Sequence, residues 1–472
     1  MANSIKPDNR DEDLDSRQFN LYEKREKIHT RSVDGFYQFI RLFTGWPLLV
    51  GYFGIPWLMV NGHQAILFDL PQRQFHIFWI TFWPQDFSLL AWALIIAAFA
   101  LFFITTLLGR VWCGYTCPQT VWTAIFMWIE QVTEGDRHQR IRLDKAPWSM
   151  TKVYKRSLKH GMWIGFAALT SVTFVGYFYG IRDLFIDGYH FQLPQVAIFW
   201  LGLFTLGTYV NAGWMREQVC MYMCPYARFQ SAMFDKDTLI VSYDIKRGEN
   251  RGSRKRNVDP STIDMGDCID CTVCVQVCPT GIDIRDGLQY ECINCAACVD
   301  ACNGIMDKMG YEHGLIAYTT ENQLEGKAWT WMRPKLIGYM LALSVMMSFF
   351  TYALFARSTL ELDIIRDRGQ LYQEIADGKI QNTYTVKVLN KDVVEHTYLI
   401  KVSGIEGITW SPSSKITVAK GKVGELAMNV IVDPNVLDSV NTDIVFTVTE
   451  LESKIEAKTT NRLIGPLTED IL

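Results

Sequence analysis

Five stretches of this sequence, residues 42–68, 87–109, 161–181, 188–215 and 336–356, contain no Asp, Glu, Lys or Arg. Each holds a core of about 20 apolar residues, the length that crosses a hydrocarbon layer as a helix. Within a bilayer the backbone must satisfy its own hydrogen bonds, so such segments are confined to helices packed on one another. A core helix of a water-soluble protein rarely runs so long without a charge. The sequence therefore predicts a helical membrane bundle of about five spans. The formal net charge of −4 decides nothing, because charged and apolar residues are segregated along the chain.

Lys and Arg in short loops set orientation. Between the first and second spans only Arg73 is basic, and between the third and fourth only Arg182. By contrast Arg137, Arg140, Arg142, Lys145, Lys152, Lys155, Arg156 and Lys159 crowd the loop between the second and third. That loop, a highly charged arm over residues 1–36 and the cysteine-rich segment are expected in the cytoplasm. An odd number of spans then places the C-terminal part on the opposite side. The charged arm has no apolar core of the kind a cleavable leader needs. The basic stretch 246–256 reads as positive charge beside anionic membrane lipid, and nucleic acid is not an expected partner.

Eight of the 12 cysteines form two runs with one arithmetic. Cys268, Cys271, Cys274 and Cys278, followed by Pro279, read C-x2-C-x2-C-x3-C-P; Cys292, Cys295, Cys298 and Cys302 repeat the spacing, with Asn303 in place of proline. In two-cluster ferredoxins the fourth cysteine of each run ligates the other cluster. Cys268, Cys271, Cys274 and Cys302 are thus expected to hold one [4Fe–4S] cluster, and Cys292, Cys295, Cys298 and Cys278 the other. Zinc ribbons need only two C-x2-C pairs per site, and a disulfide framework does not suit the reducing side of a membrane.

The other four cysteines stand in a second repeat. Cys113-Gly-Tyr-Thr-Cys117-Pro118 and Cys220-Met-Tyr-Met-Cys224-Pro225 share the form C-x3-C-P, each at the cytoplasmic end of a span and each leading into a short amphipathic stretch, 119–130 and 226–235. A C-x3-C spacing puts both sulfurs on one helical face, and proline is suited to open the next helix. Pairing of the two units would gather four thiols. Soft sulfur selects Cu(I) or an iron–sulfur cluster over hard cations; Met221 and Met223, with Met215 just before, add weaker thioethers. Buried cysteines without chemistry are the plain alternative for one such pair. Arg110 and Arg216 would favour thiolates. His63, His76 and His190 lie in the loops facing away from the cytoplasm, where a metal could enter.

From residue 383 onward the pattern is alternating and β-branched, bounded by Asn, Gly, Asp-Pro and Ser signals. It contains no cysteine, so docking or capping is expected there rather than chemistry. The domain plan is a charged cytoplasmic arm (1–36), a membrane region with four spans and both C-x3-C-P motifs (37–235), a cytoplasmic ferredoxin-type domain (236–334), a fifth span (335–356), an amphipathic linker helix (357–380) and a periplasmic immunoglobulin-like β-sandwich (381–472).

This order of motifs resembles the FixG/RdxA/CcoG family of cytochrome c oxidase accessory proteins, over essentially the whole chain beyond the arm. Membrane polyferredoxins of the NapH and NosR type are similar, but the C-terminal sandwich and the lack of a flavin domain favour the accessory proteins. The resemblance implies a bacterial inner-membrane cupric reductase that supplies Cu(I) for the copper centre of a cbb-type oxidase. It implies oxidase assembly factors or a copper chaperone as partners, an unnamed electron donor and a possible homodimer. The alternative is an electron-wire subunit, passing electrons from a cytoplasmic donor or quinol to a partner complex. A third cluster on the four C-x3-C-P thiols is a further alternative.

Overall fold

The structure is a computed structural model that describes residues 27–256, 264–375, 378–392, 394–412, 415–437 and 439–466. Most of the expected N-terminal arm lies outside the described residues. The chain divides into two units, one made of residues 1–57 and 98–341, the other of 58–97 and 342–472.

Among the described residues four helices are long and apolar enough to cross a membrane: Phe87–Leu108, Met150–Tyr179, Gln195–Met215 and Pro334–Phe355. The first expected span differs. Residues 42–68 do not make one helix: the helix Phe36–Gly54 stops, and the chain turns into strands at Met59–Val60, His63–Gln64 and Ile66–Asp69. The reason is local. Asn61 and Gly62 adopt φ of 51° and 88°, the pair of left-handed residues that a two-residue hairpin turn requires.

In the first unit the helix Met150–Tyr179 packs on Pro118–Glu134 and on Gln195–Thr208, around Phe126, Ile129, Trp163, Ala167 and Ala212. The indole of Trp163 donates to the Phe126 carbonyl at 3.1 Å. The cysteine-rich segment folds around the antiparallel strands Ile240–Tyr243 and Ile316–Thr319 and the helix Ala297–Met309. Asp300 of that helix accepts from the backbone N–H of Tyr37 (3.1 Å) and Gln38 (2.7 Å). It thereby caps the helix Phe36–Gly54, meeting donors that a helix start leaves open.

In the second unit two antiparallel sheets share one core. One has the order 409–411, 423–432, 380–390, 360–366, and the other 415–418, 396–403, 441–450, 456–464. Tyr384, Val386, Met428 and Val430 of the first meet Ile400, Ile444, Phe446 and Val448 of the second, all fully buried. The expected linker helix is absent from the described residues: Leu360–Arg366 is a strand paired with 384–390. Leu360, Leu362 and Ile364 turn inward at every second position, and that period overrides the helix preference of the neighbouring Glu, Arg and Leu. The hairpins after Met59 end at Asp86, whose carboxylate meets Arg357 at 2.8 Å and Lys391 at 3.1 Å.

Candidate metal and electron-transfer centre

Two cavities in the cysteine-rich segment are lined by thiols. One is walled by Cys268, Cys271, Cys274 and Cys302. The other is walled by Cys278, Cys292, Cys295 and Cys298, and Cys274 also lines it. The last cysteine of each run thus sits with the first three of the opposite run. The backbone repeats as well. Asp270 and Thr272 in the first run, and Asn294 and Ala296 in the second, take φ of 52° to 55°. Left-handed residues at these positions cost about 1–2 kcal/mol each, and alternation of this kind turns successive N–H groups inward, an arrangement suited to an anionic cluster. Four soft donors around each cavity fit a [4Fe–4S] cluster. Burial pushes the Cys302 and Cys292 thiols up to about 12, so the charge of a bound metal must offset the cost of making thiolates there.

The runs differ at their ends. Pro279 follows a short helix, Val273–Gln276, whereas Asn303 lies inside Ala297–Met309. Its side chain accepts from the Gly314 N–H at 3.3 Å. Without proline the helix runs on past Cys302, and the thiol keeps its place.

The two C-x3-C-P motifs come together, though not as helical pairs. Cys113 lies on the short helix Val111–Tyr115, and Cys117 is the extended residue (φ −58°, ψ 127°) before Pro118–Glu134. Likewise Cys220 lies in the π-helical turn Val219–Met223, and Cys224 (φ −79°, ψ 111°) precedes Pro225–Met233. A residue before proline is driven out of the helical region, so each pair is bent across a turn. Several contacts join the halves. The Cys113 thiol donates to Gln230 Oε1 at 3.6 Å, Arg110 donates to the Ala227 carbonyl at 3.0 Å, and Gln119 donates to the carbonyls of Asn211 (2.9 Å) and Arg216 (3.2 Å). Burial pushes the Cys113 thiol up to about 12 and Cys220 to about 11, while Arg110 pulls both down. Met223 is 58 % exposed and turns away.

The first of these two turns abuts the second cavity. A Cβ on Gly114 would lie 2.8 Å from the Ile293 carbonyl oxygen and 2.9 Å from Cys295 Cα, so only glycine fits there. Arg110 donates to the Tyr290 carbonyl of the same loop and stacks over the Tyr290 ring. The Tyr115 and Tyr318 hydroxyls meet at 3.1 Å, and Tyr318 donates on to the Asn294 carbonyl. Beneath lies a buried ion network, in which Glu130 meets Arg216 at 2.7 Å and Arg140 at 3.0 Å, and Lys159 meets Glu134 at 2.9 Å. Gln119, Gln230, Glu130 and Tyr318 were not visible as site residues in the sequence. Two carboxylates on an otherwise apolar-faced helix, Glu130 and Glu134, were the one available signal.

Comparison with known proteins places these features. A 4Fe-4S dicluster domain matches residues 215–321, a 4Fe-4S binding domain matches residues 90–132, and the Ig-like fold at the C-terminus of FixG matches residues 350–466. The nitrogen fixation protein FixG of Rhizobium meliloti is 37 % identical over 434 residues, 84 % of this chain and 83 % of that protein. The chain belongs to the FixG/RdxA family. Other members include RdxB of Cereibacter sphaeroides, 39 % identical over 86 % of this chain and 88 % of that protein, and RdxA of the same organism, 37 % identical over 82 % and 84 %. The crystal structure of a FixG-related protein from Vibrio parahaemolyticus is 32 % identical and covers 24 % of this chain and 100 % of that one, with a TM-score of 0.22. Membership in the FixG/RdxA family, with its dicluster domain and apolar helices, makes this an iron–sulfur electron-transfer protein associated with a membrane and carrying two [4Fe–4S] clusters.

Proposed function

We propose that the protein reduces Cu(II) to Cu(I) for the copper centre of a cbb-type cytochrome oxidase, at Cys113, Cys117, Cys220 and Cys224. What carries this is the seating of the two C-x3-C-P turns against each other and directly on the Ile293–Cys295 backbone. Cys268, Cys271, Cys274 and Cys302 would hold one [4Fe–4S] cluster and Cys278, Cys292, Cys295 and Cys298 the other. When bound, these clusters supply single electrons. Each Cu(II) takes up one electron, provided in the end by a cytoplasmic donor. Thiolates hold Cu(I) better than Cu(II), so the four sulfurs bias the copper couple toward reduction, and Arg110 stabilises their charged form. Met221 contributes at most a thioether, and Met223 less.

Five spans with cytoplasmic clusters and a periplasmic Ig-like sandwich in the inner membrane complete the proposal. The 19 residues of Phe36–Gly54 rise about 28 Å, close to the hydrocarbon thickness, from a start tied to the cluster-bearing helix. Oxidase assembly factors or a copper chaperone would take the Cu(I), and a homodimer is compatible with this. The test is replacement of both cysteines of either motif by serine. Copper reduction should be abolished, with about eight iron atoms per chain retained; unchanged turnover would move the site elsewhere.

A second reading has its own support. Among the described residues no three His, Cys, Asp or Glu side chains lie close enough to share one ion, and a 4Fe-4S binding domain matches the region of Cys113 and Cys117. A third cluster on the four thiols, in an electron-wire subunit without its own substrate, would show as a loss of about four iron atoms in the same variants.

A further inference from the structure

Of the 12 cysteines in the chain, Cys271 is the exposed one. It walls the first-run cavity with Cys268, Cys274 and Cys302, and its neighbours Asp270 and Thr272 are exposed as well. None of the four cysteines around the second-run cavity is exposed. There Val33 packs with Ile293, Cys295 and Cys298, and Cys113 of the first C-x3-C-P turn joins the same cluster. Cys274 lines both cavities. One end of this series of thiols meets solvent and the other meets Cys113, so the series has a way in at Cys271.

The rim of the first-run cavity is basic. Residues 246–256 hold six Lys or Arg and one Glu, and the fold lays them along the Cys268 loop. The Gly252 N–H donates to the Cys268 carbonyl at 3.2 Å, and the Asp267 N–H to the Arg247 carbonyl at 2.9 Å. Arg254 donates to the Tyr311 hydroxyl at 3.0 Å and stacks over its ring; Tyr311 and Cys302 both pack on the core that holds Cys268 and Cys274. Nearby carboxylates are largely taken. Asp267 meets Arg247 at 2.6 Å, and Asp270 and Asp283 meet Arg285, which lines the cavity. Asp264 is exposed and offsets one charge. Among the described residues Lys255 and Arg256 meet no carboxylate, and both are exposed. Sequence alone assigns these charges to lipid, whereas the hydrogen bonds tie them to the cysteine loop. Cations around the way into a redox centre steer an anionic partner to it, and they set its orientation more than they add affinity.

We infer that an acidic one-electron carrier protein docks on this basic rim and reduces the first-run centre beside Cys271. The carrier gives up one electron and the centre gains it, with no bond made or broken. The inference rests on the ligand sets proposed above and not on copper. The test mixes a reduced plant-type [2Fe–2S] ferredoxin, chosen for its acidic surface, with the oxidised full-length protein in detergent, without copper. Rapid-freeze spin resonance follows the loss of the ferredoxin signal and the gain of this protein's own. Reduction should slow as salt is raised. It should fall at least about tenfold in the protein carrying both Lys255→Glu and Arg256→Glu, and Lys255→Arg with Arg256→Lys should keep the parent rate. A small uncharged reductant, photoreduced deazaflavin, should reduce the parent and the charge-reversed protein alike, with about eight iron atoms per chain in each; this separates lost docking from a lost cluster. Carbodiimide coupling of ferredoxin to the unsubstituted protein should place a cross-link at Lys255, as read by peptide mass. A ferredoxin rate indifferent to salt and to charge reversal, or cross-links confined to other lysines, would overturn the docking site and leave the stretch as membrane-facing charge.

Discussion

Replacing Glu130 by alanine should destabilise the first unit more than any surface change. The Glu130 side chain is 1 % exposed and holds Arg216 at 2.7 Å, Arg140 at 3.0 Å and, more distantly, Lys159 at 4.0 Å. Glu134 compensates Lys159, but Arg216 and Arg140 lose their ion-pair carboxylate. Breaking a buried pair from one side costs about 3–5 kcal/mol, or about 100- to 4,000-fold in the unfolding equilibrium at about 1.4 kcal/mol per tenfold. An exposed pair gives the comparison: Lys387 and Glu425, 33 % and 57 % exposed, meet at 2.6 Å and should be worth about 0.2–1 kcal/mol. Arg216 packs over Trp163 at 5.5 Å and Lys159 over the same ring at 4.9 Å, so tryptophan fluorescence can follow the loss. Denaturant unfolding in detergent should separate Glu130→Ala from Glu425→Ala by at least about 2 kcal/mol. Equal midpoints would refute the view that this network clamps the two C-x3-C-P units.

Gly114→Ala would drive a methyl into the backbone of Ile293–Cys295; it should cost about 1–3 kcal/mol and slow copper reduction, measured side by side with the parent protein. Cys278→Ser should damage the cluster built on Cys292, Cys295 and Cys298, as seen in its spin-resonance signal, and leave the other intact. Burial alone would raise the Glu130 carboxyl, but Arg216, Lys27 and Lys159 prevail and hold it below the ordinary range. Its stabilisation is therefore present above the unfolded value of about 4.3 and lost as pH falls through the folded one; a pH series of unfolding midpoints should show a shallower acid limb in Glu130→Gln. Asp300→Ala, which uncaps Phe36–Gly54, should cost about 0.5–2 kcal/mol in the same unfolding assay.

The grouping of the eight cysteines was legible because cluster ligation fixes spacing: C-x2-C-x2-C-x3-C leads one to expect Cys302 beside the first run and Cys278 beside the second, and those are the cavities they line. The strands after residue 383 were legible from alternation. Three features were not. The Asn61-Gly62 turn was hidden in an apolar run that looked like the end of a membrane helix, although that dipeptide is a strong hairpin signal. The strand Leu360–Arg366 was masked by Glu, Leu and Arg, which favour helix until a neighbouring strand supplies the pairing. The spacing of Cys113 and Cys117 suggests a single helical face, but Pro118 drives Cys117 out of the helical region and bends the pair. The Glu130–Arg216 clamp joins residues far apart in the chain, and nothing local encodes it.

In the proposed function, electrons held by this protein pass to copper at its own thiols. The most direct measurement mixes anaerobic, pre-reduced, purified protein with Cu(II) and follows the Cu(II) spin-resonance signal while Cu(I) is trapped by a chromogenic chelator. About two Cu(II) should be bleached per chain, one for each one-electron cluster, with matching Cu(I). The protein with Cys113 and Cys117 replaced by serine should leave the signal standing. A Cu(II) signal that survives in the unsubstituted protein, or is bleached equally in the variant, would contradict the account.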